Sequence, residues 1–94
     1  MKKKNKILCF DIDNTICKTV GNKYYLSLPI KKNIKYINEL YKKGYFIIIY
    51  TARFMGRANE NINLVKKLDN GFTKKQLKKW GLKFNRLKFG KPSY

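Results

Sequence analysis

Two hydrophobic periodicities alternate along this chain, and together they predict alternating strands and helices. Short apolar runs occupy residues 7–10 and 45–50, and runs of this length and composition are typical of buried β-strands. The second run is apolar throughout, which predicts burial on both of its faces. A third, shorter strand is predicted over residues 84–89.

Between these strands, apolar residues recur at helical spacing. The pattern predicts three helices, over residues 30–43, 62–69 and 73–80. Gly44 is expected to end the first helix and Asn70 to lie at the end of the second. Thr73 is expected to cap the third, with Gln76 at the capping-box position.

The segment before the first helix carries a turn signal, Gly21-Asn22, flanked by residues 19–20 and 24–26, which predicts a small β-hairpin within residues 16–29. The order strand, helix, strand, helix, strand implies parallel pairing through right-handed crossovers. We therefore expect a single α/β domain over residues 1–94 with a short parallel sheet and no large cap.

Composition narrows the class of protein. Ninety-four residues with 44% hydrophobic content fit one globular domain. The longest apolar run is far shorter than the roughly 20 residues that span a bilayer, and the basic start Met1-Lys2-Lys3-Lys4 is not followed by a signal-peptide core. Cys9 and Cys17 do not have a metal-ligand spacing, so we expect reduced thiols, a cytoplasmic location and no membrane partner.

The strongly basic composition raises the question of whether the protein binds nucleic acid. The chain has 23 basic and 5 acidic residues, a formal net charge of +18. Such a balance favours contact with phosphate backbones. The lysines are, however, scattered through every segment, and no arginine-rich arm, zinc spacing or aromatic RNA-binding signature accompanies them. We therefore expect only non-specific affinity for nucleic acid.

Two of the five acidic residues, Asp11 and Asp13, lie directly after the first predicted strand. Open α/β sheets bind ligands at the carboxyl ends of their strands. Two carboxylates this close favour a shared proton or a bound cation. An Asp-x-Asp pair also occurs in ordinary turns, but its position after a buried strand favours a chemical site.

Other polar residues follow the remaining strands. Thr51 and Arg53 leave the second strand and Lys91 leaves the third, which predicts that all three lie on the same edge as Asp11. A carboxylate nucleophile, a second carboxylate for proton transfer, a hydroxyl and cations form a set that suits a phosphoryl group.

These segments resemble the first three motifs of the haloacid dehalogenase-like superfamily. The matching segments are Asp11-Ile12-Asp13-Asn14-Thr15, Thr51-Ala52-Arg53 and Gly90-Lys91-Pro92. The likeness covers nearly the whole chain and is closest to the small capless phosphatases, often labelled hypothetical or capsular-polysaccharide biosynthesis proteins. It implies a Rossmann-like three-layer domain and a magnesium-dependent phosphatase acting on a small phosphorylated substrate, with sugar phosphates favoured and macromolecular phosphoesters as the open alternative.

The resemblance also implies residue roles. Asp11 would be the nucleophile that forms an aspartyl-phosphate, and Asp13 would protonate the leaving group and then activate water. Mg²⁺ would be held by the Asp11 carboxylate and the Asp13 backbone carbonyl. Asn14 stands where that family commonly has glycine.

The remaining motif residues would contact the substrate. Thr51 and Ala52 would bind the phosphoryl oxygens, and Lys91 would neutralise charge on the nucleophile and the phosphate. Arg53 and Arg57 would bind the rest of the substrate.

One feature departs from the family pattern. The fourth motif, an acidic pair after a further strand, should follow soon after Lys91, yet no acidic residue lies beyond Asp69. We therefore expect a C-terminally truncated member, inactive if the missing acid is essential. The absent strand would leave residues 7–10 as an exposed apolar edge through which homo-oligomers could form. Two alternatives stay open, a basic nucleic-acid-binding module and a non-catalytic or partner-completed relative of the phosphatases.

Overall fold

The computed structural model describes residues 6–56, 58–59 and 61–91. The elements follow in the order β1 (Ile7–Phe10), β2 (Cys17–Lys18), a 3-10 turn (Tyr24–Leu26), β3 (Leu28–Pro29), α1 (Lys31–Lys42), β4 (Phe46–Thr51), α2 (Ile62–Asp69), α3 (Phe72–Lys79) and β5 (Arg86–Phe89). None of these helices has the length and hydrophobicity that crossing a bilayer requires.

Strands β1, β4 and β5 form a parallel sheet in the order β1-β4-β5. The predicted α/β class with a short parallel sheet is thereby confirmed. The register aligns Phe10 with Ile49 and Thr51 with Phe89, so all three strands end at the same edge of the sheet. This edge carries the polar residues that follow each strand.

The helices cover one face of the sheet. Ile47 and Ile49 of β4 are fully buried in a cluster with Ile34 and Ile37 of α1 and Leu77 of α3. Each crossover advances one strand in the same direction, and right-handed crossovers then place their helices on the same side. A third layer is therefore not among the elements that the structure describes.

The opposite face of the sheet is only partly covered. Ile7 is 64% exposed and Phe46 is 38% exposed, while Ile48 and Tyr50 are half-buried. The prediction that β4 is buried on both faces is therefore wrong. Among the described residues, β1 pairs only with β4, so its outer edge is free, as the sequence led us to expect.

The small hairpin exists, but its strands differ from those predicted. Strand β2 pairs with β3 through Cys17–Pro29 and Lys18–Leu28, and residues 24–26 form a 3-10 turn instead of a strand. The Thr19 and Ser27 hydroxyls are 2.5 Å apart, which closes the loop between the two strands. This broad loop lies over the edge of the sheet where Asp13 is found.

The C-terminal ends of α1 and α2 lie where the sequence predicted them, whereas the start of α3 does not. Gly44 follows α1 with φ of 99°, and Asn70 ends α2 in the left-handed conformation. Helix α3 begins at Phe72 with Gly71 as its N-cap, so the prediction of a Thr73 cap with Gln76 in a capping box is wrong. The Thr73 hydroxyl and the Gln76 amide make tertiary contacts instead.

Candidate active site

The carboxyl ends of the three parallel strands meet around Asp11. Lys91 follows β5, and its backbone N–H donates to the carbonyl oxygen of Thr51 at 3.2 Å. The Lys91 ammonium lies 3.5 Å from Asp11 Oδ2. The structure thus brings together the polar ends of β1, β4 and β5, and it places a cation beside the predicted nucleophile.

Asp11 presents its carboxylate to solvent. Its side chain is 41% exposed, and Oδ1 accepts a hydrogen bond from the Ile12 N–H at 2.9 Å. The backbone contact fixes one oxygen, which leaves Oδ2 turned towards Lys91. An accessible and oriented carboxylate oxygen is what a nucleophile in this position requires.

A tight turn after β1 separates the two carboxylates. The Ile12 carbonyl accepts from the Thr15 and Ile16 N–H groups, and the Asn14 N–H donates to the Cys17 carbonyl at 2.6 Å. Asn14 has φ of 67°, a conformation that suits glycine and that asparagine tolerates better than most residues. This backbone requirement explains why asparagine can stand where the resembled family has glycine.

The second carboxylate is held by a guanidinium fork. Arg53 Nη2 donates to Asp13 Oδ1 at 2.9 Å, and Nε donates to Oδ2 at 3.0 Å. The Thr19 hydroxyl donates to the same Oδ1 at 2.6 Å. Bidentate charge-assisted bonds fix both the position and the plane of a carboxylate. Asp13 is therefore oriented, while its side chain stays 24% exposed.

Arg53, which was predicted to bind substrate, lines the site cavity, but its guanidinium is bonded to other side chains of the protein. The residue is 1% exposed, and its Nη1 donates to Gln76 Oε1 at 2.7 Å and to Thr73 Oγ1 at 3.2 Å. The guanidinium is thus committed to side chains of the protein. A buried arginine needs such partners because its charge is otherwise costly to remove from water.

The chain of contacts continues to the end of α2. The Thr73 hydroxyl donates to Asp69 Oδ1 at 2.5 Å, and the Thr73 N–H donates to the same carboxylate at 3.1 Å. Asp69 is 4% exposed. A buried series of hydrogen bonds thus runs from Asp69 through Thr73 and Arg53 to Asp13, so helices α2 and α3 support the position of the site carboxylate.

Aromatic side chains cover the guanidinium. The Tyr24 ring lies 4.7 Å from the Arg53 Cζ atom, and the Phe54 ring packs edge-on against Tyr24 with 5.0 Å between centroids. Gln76 Nε2 donates to the Tyr24 carbonyl at 2.8 Å. The hairpin loop is therefore anchored to α3 above the site, and Tyr24 forms an aromatic wall.

These residues enclose a cavity of 400 Å³ at the edge of the sheet. It is lined by Asp11, Asp13, Asn14, Thr19, Gly21, Tyr24, Ala52 and Arg53. Ala52 therefore lies where the resemblance implies contact with a phosphoryl group. Thr51 is fully buried, and its Oγ1 accepts from the Arg53 N–H at 3.0 Å. Arg57 lies outside the described residues.

Few of the described side chains at this site could coordinate Mg²⁺. No cluster of three or more His, Cys, Asp or Glu side chains occurs in the part of the chain that the structure describes. The Asp11 carboxylate faces solvent, whereas the Asp13 carboxylate is occupied by Arg53 and Thr19. Mg²⁺ commonly keeps several waters and needs few protein oxygens. The arrangement can therefore accept the ion at Asp11.

Cys17 lies beneath the site with its thiol buried. Burial raises the pKa of this thiol above its ordinary value of 9.0; the hydrogen bond with Thr19 acts in the opposite direction, and the charge of Asp13 adds to the increase. The thiol is protonated at neutral pH and fills space below Asp13, so it is a packing residue of the site floor.

Sequence reasoning missed the supporting residues. The structure adds Thr19, Asp69, Thr73 and Gln76 to the site region. A threonine or glutamine on a helix has many ordinary roles, and the contacts of Arg53 with α3 join residues 20 and 23 positions apart. Arg53, which follows an apolar strand, was the one sequence signal that could have indicated a buried network of partners.

No family model matches the chain, and no curated protein matches it. The chain is similar to the crystal structure of an MCSG target from Vibrio cholerae. The two share 26% sequence identity and superpose with a TM-score of 0.87, over 94% of this chain and 72% of that one. This likeness supports the fold, and the name of that protein specifies no activity.

Proposed function

We propose that this domain is a magnesium-dependent phosphatase that hydrolyses a small phosphate monoester through an aspartyl-phosphate on Asp11. The observation that carries the proposal is the pairing of two differently held carboxylates. Asp11 is open to solvent beside Lys91, and Asp13 is fixed by Arg53 two residues later. Nucleophilic catalysis needs an accessible oxygen, and proton transfer needs a positioned one.

In the first step an Asp11 carboxylate oxygen attacks phosphorus, and the bond from phosphorus to the ester oxygen breaks. The departing alkoxide takes a proton from Asp13 in its acid form. In the second step water attacks the phosphoryl group of the intermediate and gives a proton to Asp13. Phosphate leaves, and the Asp11 carboxylate is restored. Both residues end in their starting protonation states.

The contacts of Asp13 indicate which oxygen transfers the proton. Oδ1 accepts from Thr19 and from Arg53 Nη2, whereas Oδ2 accepts only the Arg53 Nε–H among the contacts of the described residues. A carboxylate oxygen has more than one lone-pair site. Oδ2 therefore keeps acceptor capacity, and we assign proton transfer to it.

Residues at the carboxyl ends of the strands can neutralise the negative charge of the transferred phosphoryl group. The Lys91 ammonium lies beside Asp11 and can contact a phosphoryl oxygen held there. Ala52 lines the cavity, whereas Thr51, which directly precedes it, is fully buried and lies outside the cavity lining. Fixed donors aimed at a developing negative charge lower the barrier to phosphoryl transfer.

Mg²⁺ would be held by the Asp11 carboxylate together with the Asp13 backbone carbonyl and water. When bound, it supplies neutralisation of phosphate charge. Because Asp11 is the one carboxylate available for it and is also paired with Lys91, the site is expected to bind the ion weakly.

The size of the cavity supports a small substrate. A volume of 400 Å³ is at the low end of the range for small-molecule pockets. Tyr24 lines one wall of the cavity, and an aromatic side chain there suits the carbon skeleton of a sugar phosphate. Both described cysteines are free, which supports a cytoplasmic location.

The test is release of inorganic phosphate from a generic aryl phosphate, with and without Mg²⁺. We expect release that depends on Mg²⁺ and is lost in Asp11→Asn, which has almost the same shape. Asn63→Asp, which adds an acid on the exposed surface of α2, serves as the control and should retain activity. A folded wild-type protein that releases no phosphate from a panel of phosphomonoesters would overturn the proposal.

A further inference from the structure

Two adjoining concavities lie among the helices, apart from the cavity that contains Asp11. They have volumes of 710 Å³ and 600 Å³ and share Tyr41 and Lys83. No residue that lines the 400 Å³ cavity lines either of them. We call this continuous surface, which extends from Lys31 on α1 to Lys74 on α3, the lysine groove.

The cations of the lysine groove follow the helical repeat. Lys31, Lys35 and Lys42 lie at i, i+4 and i+11 along α1, so they form one stripe on that helix. Lys74 and Lys78 lie at i and i+4 on α3. Like charges at this spacing repel each other and destabilise a helix. The pairs Lys31–Lys35 and Lys74–Lys78 therefore have a cost that a bound polyanion would remove.

Within the described residues these charges are not neutralised. The salt bridges there join Arg53 to Asp13 and Lys91 to Asp11, and neither includes a lysine of the groove. Two acids line the groove. Asp69 is 4% exposed and bonded to Thr73. The other acid, Glu39, is exposed on α1 among at least seven basic side chains that line the groove. The groove therefore presents a net positive surface to solvent.

Aromatic rings lie between the two lysine stripes. Tyr41 lines both concavities, Trp80 lines one and Phe84 lines the other. Tyr41 is 38% exposed, and Trp80 is half-buried. Cationic grooves with aromatic side chains bind single strands, because phosphates contact the cations while bases stack on the rings.

We propose that the lysine groove binds single-stranded nucleic acid, through its phosphates and by base stacking, without reading sequence. Its concave shape favours a single strand, since a duplex is read by a helix or β-ribbon that projects into its groove. The site shares no residue with the proposed phosphatase site and does not depend on it.

The first test uses fluorescence anisotropy of a labelled oligothymidylate at several salt concentrations. The triple variant Lys74→Gln, Lys78→Gln, Lys83→Gln removes three groove cations. The matched control Lys32→Gln, Lys43→Gln, Lys67→Gln removes three exposed lysines outside the groove, so both variants have the same net charge. Circular dichroism checks that both are folded.

Each phosphate contact with a single strand contributes about 0.7 to the slope of log K against log salt. We expect the groove variant to lower that slope by about 2 and to weaken binding by roughly tenfold or more at moderate salt. The control should bind within about twofold of the wild type, because its lysines lie outside the footprint. Equal losses in the two variants would show diffuse attraction and overturn the proposal.

The second test uses Trp80, which is the only tryptophan of the chain. Stacked bases should quench its fluorescence in the wild type and in Asp11→Asn alike. Inorganic polyphosphate, which has charge but no bases, should bind more weakly and leave the emission unchanged. Quenching by polyphosphate, or binding of oligothymidylate without quenching, would contradict the proposed stacking. If Asp11→Asn loses turnover but its tryptophan emission is still quenched by oligothymidylate, the groove and the proposed active site are independent.

Discussion

The guanidinium of Arg53 donates two hydrogen bonds to the Asp13 carboxylate, with Nη2–Oδ1 and Nε–Oδ2 distances of 2.9 and 3.0 Å. Arg53 is 1% exposed, whereas the side chain of Asp13 is 24% exposed. The ion pair therefore joins the interior of the domain to the floor of the cavity. Within the proposed mechanism, Arg53 is a positioning residue, because it acts on the substrate only through Asp13.

Arg53→Lys is expected to lower kcat while leaving KM nearly unchanged. Lysine keeps the charge but lacks the planar fork that fixes the plane of the carboxylate. Positioned proton transfer contributes about 10²–10⁴ in rate, so a partial loss of roughly 10- to 100-fold is expected. Steady-state kinetics provide the measurement, with the pH profile as a second readout. A tenfold rise in KM at constant kcat would instead assign Arg53 to substrate binding.

Arg53→Met is expected to destabilise the fold as well. Breaking a fully buried ion pair costs about 3–5 kcal/mol, and the cost here should be smaller because Asp13 keeps contact with water. The double variant Asp13→Asn, Arg53→Met should recover part of this loss, since no unpaired carboxylate is left. Urea unfolding measures both values, and a double variant no more stable than Arg53→Met would contradict the assignment.

Lys91→Met should reduce turnover strongly and affect stability little. The ammonium lies 3.5 Å from Asp11 Oδ2, and both side chains are about 40% exposed, so the pair itself contributes little to folding. Its expected role is in stabilising phosphoryl charge, and loss of one such donor costs roughly 10²–10³ in kcat. Lys88→Met is the matched control, because Lys88 lies on β5 over the Tyr50 ring, away from Asp11. Similar turnover in the two variants would exclude this role for Lys91.

Cys17 should make stability depend on alkaline pH. Burial raises the pKa of its thiol in the folded protein above the ordinary 9.0, so the unfolded chain releases the proton first. The contribution is fully present below about pH 9 and is lost as pH rises through the folded pKa. We expect the difference in unfolding free energy between wild type and Cys17→Ala to shrink over the pH range above 9.0. A constant difference across that range would contradict the prediction.

The free edge of β1 and the partly covered face of the sheet should promote self-association at high protein concentration. Ile7 is 64% exposed there, and exposed apolar edge strands pair with other chains. Salt of about 0.15 M shortens the range of charge repulsion to roughly 8 Å, so the measurement should be made under that condition. Light scattering should show Ile7→Lys as a monomer and the control Val20→Lys, on the hairpin loop, as associated as the wild type. A monomeric wild type would contradict the prediction.

Local pattern was sufficient to predict the elements that set up this edge of the sheet. The apolar run that ends at Thr51 is a strand, and Gly44 and Asn70 end their helices because both have positive φ. Asp11 and Lys91 could be placed together because each follows a parallel strand, and parallel strands end on the same side.

Features that depend on contacts between residues distant in sequence could not be predicted in the same way. Whether Arg53 faces a ligand or the interior depends on Thr73 and Gln76, which come from a helix that begins well after it. Partial exposure of Phe46 and Ile48 depends on strand order, because only the order β1-β4-β5 puts every crossover helix on one face. The pattern of apolar and polar residues within each segment indicates neither the orientation of Arg53 nor the exposure of this face of the sheet.

In the proposed mechanism Asp11 becomes covalently phosphorylated during turnover. The most direct measurement quenches a single turnover in acid, reduces the protein with borohydride and sequences the peptides by mass spectrometry. Borohydride converts an aspartyl-phosphate to homoserine, so we expect homoserine at position 11 in the wild type and none in Asp11→Asn. Phosphate release in the wild type with an unmodified Asp11 would exclude the aspartyl-phosphate intermediate.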